Sequence, residues 1–208
     1  TYHLTDYEQY LYNRVTKSLE EASENANSFC QFQIIARQRQ MASCMPAAFM
    51  DWKNRKDNDE YSTNIDEQLM DDLGFYSDEE DEESSDFDVR ATISDININI
   101  KDLMDHDSKY LAVKKAILKK IEDNPESKII IFSFYRGTIK YLAQRFAYDN
   151  ISCISMMGGA GLNKHEVIKS FKENPNIKLL LSTEVGSEGI DMQFCDTEFN
   201  YELPWNPM

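Results

Sequence analysis

Residues 179–194 read LLLSTEVGSEGIDMQF, and three kinds of group in that stretch could do chemistry. Ser182 and Thr183 set two hydroxyls directly after an apolar run. Gly186 and Gly189 let a backbone approach a ligand closely and turn through positive φ at little cost. Asp191 can accept hydrogen bonds from a ribose or orient an arginine. A second glycine pair, Gly158 and Gly159, follows Met156 and Met157. Hydroxyls and backbone amides of this kind suit phosphate, which they position without reading bases. The same spacing also suits a plain exit turn in which Asp191 caps whatever follows. Neither GxGxxG nor GxxxxGK[ST] occurs in the chain, so a nucleotide site here would complete one held elsewhere.

These residues need strands that deliver them together. From Lys128 onward, KIIIFSFY reads as a strand buried on both faces, GTIKYLAQRFAYDN as a helix and ISCIS as a short strand. NKHEVIKSFKEN follows as a helix, with Asn163 and Glu166 in capping-box spacing, then IKLLLS as a second buried strand and TEFNYEL as a last one. Strands alternating with helices of this length imply right-handed crossovers and a doubly wound parallel α/β sheet. In such a sheet ligands bind beyond the carboxyl ends of the strands, where Ser133–Tyr135, Met156–Gly159, Ser182 and Thr183 would sit.

The first half reads differently. Thr5 and Glu8 have capping-box spacing ahead of the stripe Tyr7, Leu11, Val15 and Leu19, which predicts a helix. A second helix, with Phe29, Phe32 and Ile35 on one face, should end near Cys44 because Pro46 follows. The stretch ISDININI alternates like a strand, although its Asp and Asn residues weaken that assignment. The stretch DSKYLAVKKAILKKIED, which Asp107 or Ser108 can cap, predicts a helix buried through Tyr110, Val113, Ile117 and Ile121, with Lys114, Lys115, Lys119 and Lys120 in solvent. We expect three parts: a helical segment at 1–50, an acidic and largely disordered insertion at 51–100, and the α/β domain at 101–208.

Charge and composition narrow the function classes. The formal net charge is −15, yet Asp57–Asp88 holds fifteen of the 37 acids and no Lys or Arg, leaving 22 acids against 22 bases elsewhere. All of the excess is local, and screening over about 8 Å keeps such a run from governing a distant surface. The total therefore does not exclude a nucleic-acid partner. Cys30, Cys44, Cys153 and Cys195 are scattered without a CxxC, and His3, His106 and His165 do not cluster with them. Four reduced thiols in a cytoplasmic protein are the better reading, with no metal site. No apolar run approaches the ~20 residues that span a bilayer, and no membrane partner is expected.

In chain order, KIIIFSFYRGTIKYLAQRF, MMGGAGLNKHEVIKSF and IKLLLSTEVGSEGIDMQFCDTEFNYELPWNP resemble the second RecA-like lobe of superfamily-two helicases. Within these the chain resembles the Swi/Snf-type ATPases and their bacterial branch that includes the RNA-polymerase-recycling ATPase. YHLTDYEQYLYNRV, RQRQMASCMPAAF and DSKYLAVKKAIL resemble the helical segment and lead-in between that family's two lobes. The resemblance implies a motor lobe of an ATP-dependent translocase or remodeller in the bacterial cytoplasm. Gly186, Gly189 and Asp191 would face ATP and Mg²⁺, which the first RecA-like lobe holds for the most part. Ser182, Thr183, Gly158 and Gly159 would face the backbone of a nucleic acid, DNA in preference to RNA, and Ser133–Arg136 would either join them or serve equally well as strand-end packing. Glu184 stands where many eukaryotic members have arginine, which removes a basic contact.

The alternative is a non-catalytic RecA-like module that recruits a basic protein partner through its acidic run. The chain opens at Thr1 and closes at Met208, and we read it as a piece of a longer polypeptide. The lysine and acids of the first lobe, and the arginine finger expected after Met208, would then lie outside it. An arginine finger alone contributes about 10³–10⁵ in rate to related phosphoryl transfer. The 208-residue chain by itself should leave ATP unhydrolysed, with or without DNA, in a phosphate-release assay; DNA-stimulated turnover would contradict this.

Overall fold

The computed structural model describes residues 2–24, 28–54, 88–157, 163–183 and 189–202; the side chains of 28, 29, 32 and 54 lie outside that description. The acidic run lies outside it up to residue 87. Two compact units form, Leu4–Asp107 and Ser108–Met208, the second including Thr1–His3.

The first unit is helical. Its α1 (Asp6–Ser23) starts with the expected capping box: Thr5 N donates to Glu8 Oε2 at 2.7 Å, and Glu8 N donates to Thr5 Oγ1 at 3.2 Å. Leu11, Val15 and Leu19 are fully buried. The second helix, α2 (Ser28–Ser43), stops where Pro46 predicts, and α3 (Met45–Asn54) begins at once with Pro46 in its first turn, where a missing N–H costs nothing. The buried face of α2 differs from the sequence reading. Ile34 is buried while Ile35 is 40% exposed, and Phe29 and Phe32 carry side chains outside the described set. Gln33, Arg37 and Gln40 share the buried side. Trp52 Nε1 donates to Gln40 Oε1 at 2.7 Å, and Gln40 Nε2 donates to Asp51 Oδ2 at 2.8 Å. Partners on α3 let polar residues enter the core, so apolar periodicity misplaces Ile35.

The alternation in ISDININI is no strand. Asp88 caps α4 (Val89–Thr92) by accepting from Arg90 N and Ala91 N, and Asn99 caps α5 (Ile100–Asp105) by accepting from Asp102 N. Of the polar residues in the stretch, Asn99 acts as a helix start, and Asp95 instead pairs with Arg14 at 2.6 Å. Ile93, Ile96 and Ile98, in the turn and link between these helices, join the core with Val89 and Leu103.

The second unit is the parallel sheet. In chain order come α6 (Ser108–Asp123), β1 (Ile129–Phe132), α7 (Arg136–Tyr148), β2 (Cys153–Met156), α8 (Lys164–Glu173), β3 (Leu179–Ser182) and β4 (Thr197–Asn200). The strand order is β2-β3-β1-β4 and all pairs are parallel. The step from β1 to β2 and the return to β3 run in opposite directions, so right-handed crossovers place α7 and α8 on opposite faces. This is the expected doubly wound α/β architecture. Ile130, Leu180 and Met156 pack with Phe171 of α8, while Ile129, Ile131, Leu179 and Leu181 alternate to the other face and are fully buried. Tyr110 and Ile117 bury α6 as predicted, with Val113 and Ile121 half-buried.

Two polar clusters fix helices to this sheet. Asp149 accepts from the Tyr110 hydroxyl and pairs with Lys114 at 2.8 Å, while Arg145 lies 4.5 Å over the Tyr110 ring. Burial opposes ionisation of Asp149, but Lys114, Tyr110 and Arg145 outweigh it and hold the carboxyl below its ordinary value. Burial and that same bond push the Tyr110 hydroxyl above its ordinary value. Two of the four predicted solvent lysines are thereby engaged, Lys114 with Asp149 and Lys120 at 3.8 Å from Asp196.

At the amino end of the sheet, the Lys128 ammonium donates to the carbonyls of Phe171, Asn174 and Ile177, each at 2.7 Å. Its three N–H donors are matched to three carbonyls, one in the last turn of α8 and two in the turn that leads on to β3. Lys128→Met should keep the apolar stem but strand those carbonyls, lowering stability by about 2–3 kcal/mol in urea denaturation. An unchanged midpoint would contradict the assignment.

Candidate nucleotide and nucleic-acid site

Parallel pairing brings the exits of β1, β3 and β4 side by side. Phe132 stands opposite Ser182 on one flank and Asn200 on the other. Ser133 N donates to Ser182 O at 3.1 Å, and Tyr201 N donates to Phe132 O at 2.8 Å. Ser133 is only 2% exposed; its hydroxyl donates to Glu202 Oε1 at 2.9 Å and accepts from Tyr135 N at 3.3 Å. Phe134 N donates to the same carboxylate oxygen. Tyr135 is the residue before α7, and Phe134 packs edge-on against its ring.

At the β3 exit the hydroxyl of Ser182 turns inward. Ser182 is fully buried, and its Oγ lies 3.1 Å from Met156 O and 2.9 Å from Thr183 O, both acceptors for its single proton. Thr183 is 5% exposed and donates its N–H to Met156 O at 3.3 Å. These residues tie β3 to β2 and shape the exit from within. Gly158, Gly159 and Gly186 lie outside the described residues.

The crossover from β3 to β4 carries the other two expected residues. Gly189 has φ +76 and no heavy atom within 4 Å of where a Cβ would stand. Its need for glycine is therefore one of backbone conformation, not of space. Asp191 is exposed, and its Oδ1 accepts from Gln193 N at 3.0 Å in an Asx turn. This is the capping role open from the spacing, and it leaves Oδ2 as an acceptor for a ribose hydroxyl or an arginine. Ile190 and Met192, on either side, line a cavity of about 320 Å³ with Ile130 and Phe132. Among the described residues no group of three His, Cys, Asp or Glu side chains could hold a metal. None of the described residues therefore offers Mg²⁺ its own ligand set.

Residues 108–208 match the model of the helicase conserved C-terminal domain. This unit is a helicase C-terminal domain. The uncharacterized ATP-dependent helicase YqhH of Bacillus subtilis is 31% identical over 202 residues, covering 97% of this chain and 30% of YqhH. The pre-mRNA-processing ATP-dependent RNA helicase PRP5 of Meyerozyma guilliermondii is 30% identical over 105 residues, 47% of this chain and 12% of that protein. The chromatin-remodeling ATPase INO80 of Neurospora crassa is 28% identical over 103 residues, 49% of this chain and 5% of that protein. The chain thus spans under a third of each relative. The C-terminal part of the Fun30 ATPase domain has the same fold, with a TM-score of 0.58 at 14% identity, over 99% of this chain and 74% of that one.

Glu202 is the residue of the helicase C-terminal domain that sequence reading missed. It falls inside the predicted strand TEFNYEL, and only the pairing of β4 with β1 sets it apart. Gly189→Ala should destabilise by about 1–2 kcal/mol through left-handed strain alone. Gly189→Asn should cost less, since Asn tolerates that region. Equal stability of Gly189→Ala and the parent in thermal unfolding would contradict the positive-φ assignment.

Proposed function

We propose that this chain supplies the second motor lobe of an ATP-dependent translocase or remodeller of the Swi/Snf type, completing an ATP cleft and contacting a nucleic-acid backbone. The observation that carries the reading is the β3–β4 crossover of a helicase C-terminal domain, with Gly189 at φ +76 and Asp191 exposed beside it. Gly186, Gly189 and Asp191 are assigned to the nucleotide. Bound with Mg²⁺ by the first RecA-like lobe, ATP supplies the reactive phosphoryl group, and Asp191 Oδ2 serves its ribose. Thr183, Gly158 and Gly159 are assigned to the backbone of the nucleic acid, DNA in preference to RNA. Ser182 shapes that exit through its inward hydroxyl, consistent with its complete burial. To the acidic run we assign a basic protein partner, and to the whole protein the bacterial cytoplasm.

Backbone contacts have a salt signature: affinity falls log-linearly with salt, by about 0.9 per phosphate neutralised on B-DNA. Fluorescence anisotropy with a labelled DNA duplex should show binding at low salt, a linear loss on raising it, and weaker binding to an RNA duplex of the same sequence. Absence of binding to either duplex at low salt, or affinity indifferent to salt, would overturn the nucleic-acid reading. Preference for RNA would overturn the choice of DNA.

A further inference from the structure

We propose that Glu202 is a positioning residue, locking the β1 exit in the conformation that meets the nucleic-acid backbone. The proposal rests on the nucleic-acid reading above and assigns a part of that site to a residue on a different strand. Register brings Glu202 there: β4 runs parallel to β1, and the Tyr201 N–H to Phe132 carbonyl bond ends the pairing at 2.8 Å. The next side chain reaches across the end of β1. One oxygen, Oε1, accepts from both the Ser133 hydroxyl at 2.9 Å and the Phe134 amide. The Ser133 hydroxyl in turn accepts from Tyr135 N at 3.3 Å. A single carboxylate oxygen therefore organises the first two residues of the exit directly and the third through a relay.

The third residue matters because Tyr135 is the N-cap of α7 and makes no side-chain capping bond. Helix starts are commonly fixed by a Ser, Thr, Asp or Asn cap, and this one has none of those. The hydroxyl of Ser133, held by Glu202, accepts the N–H of this N-cap residue and so fixes the chain's approach to the helix. Charge-assisted bonds to a carboxylate are stronger than neutral ones, which suits a turn that must hold its shape when a ligand arrives.

The electrostatics make the proposal testable by sign. A carboxylate at a phosphate-binding edge repels the ligand, so on charge alone Glu202→Ala should tighten binding. Positioning predicts the reverse. In anisotropy with duplex DNA, Glu202→Ala should bind about tenfold more weakly than the parent chain, the size expected when a buried bond set is lost. Glu202→Gln, whose amide oxygen can accept the same two bonds, should recover most of that loss. Ser133→Ala keeps the Phe134 bond but breaks the relay, and should fall between. Binding by Glu202→Ala equal to or tighter than the parent would overturn the proposal, as would failure of Glu202→Gln to recover affinity.

Amide hydrogen exchange separates this idea from the function reading. The Phe134 amide should exchange slowly in the parent and in Glu202→Gln, and fast in Glu202→Ala, whether or not DNA binds. If the parent fails to bind DNA while this pattern holds, the nucleic-acid reading fails and the lock on the β1 exit stands. Equal Phe134 exchange in all three proteins overturns the lock itself. Should Glu202→Ala fail to fold, Ser133→Ala decides: Tyr135 exchange must rise there with Phe134 unchanged, and an unchanged Tyr135 counts against the relay.

Discussion

Everything described for the helicase C-terminal domain depends on the pairing of β1 between β3 and β4. Ile129, Ile131, Leu179, Leu180 and Leu181 are fully buried and Ile130 is 3% exposed, so the two inner strands have no wet face. Each such side chain contributes about 1.5–3 kcal/mol on burial, against about 0.5–1.5 for an ordinary hydrogen bond. Apolar burial therefore fixes the sheet, and slipping β1 by one residue would exchange its two faces. With the register fixed, the exits of three strands arrive at one edge. Ser133, Ser182 and Glu202 meet there as a consequence of where Ile129–Phe132 must lie.

The two ends of the sheet are built for different work. At the amino end, Lys128 binds three carbonyls in the last turn of α8 and the turn that leads on to β3. Asp196 there accepts from Ser127 Oγ at 2.8 Å, Asn124 Nδ2 at 3.2 Å and Thr197 Oγ1 at 3.0 Å. Burial opposes the ionised form of Asp196, and these donors, with Lys120, overcome it and hold the carboxyl below its ordinary value. The carboxyl end is organised from within instead: Ser182 toward two carbonyls, Ser133 toward Glu202, and a glycine at positive φ on the crossover that follows. Conformations fixed in this way are prepared before any ligand arrives, and rigid strands hold them better than a long loop would.

Much of this was legible from the residues. Continuous runs such as IIIF and LLL can only be inner strands, and the Thr5–Glu8 box starts α1 as its spacing predicts. What escaped was information held by a partner distant in sequence. The buried side of α2 depends on Trp52 and Asp51 accommodating Gln40, so Ile35 looked buried and is not. In ISDININI, Asn99, which caps the next helix, and Asp95, which pairs with Arg14, mimic the polar positions of a strand. Ser182 and Asp191 were legible as residues of interest, but their orientation was not, because Met156 O and Gln193 N decide it. Glu202 could not be singled out at all without knowing that β4 lies beside β1.

The central claim is that the nucleic-acid face lies at the carboxyl edge of this sheet. Hydrogen exchange on the chain, with and without a DNA duplex at low salt, tests it most directly. The account predicts slowing at the strand exits, residues 133–137 and 182–183, with the amides of Lys128 and Asp196 at the opposite end unchanged. Slowing confined to the amino end of the sheet, or to α1–α3 alone, would contradict it.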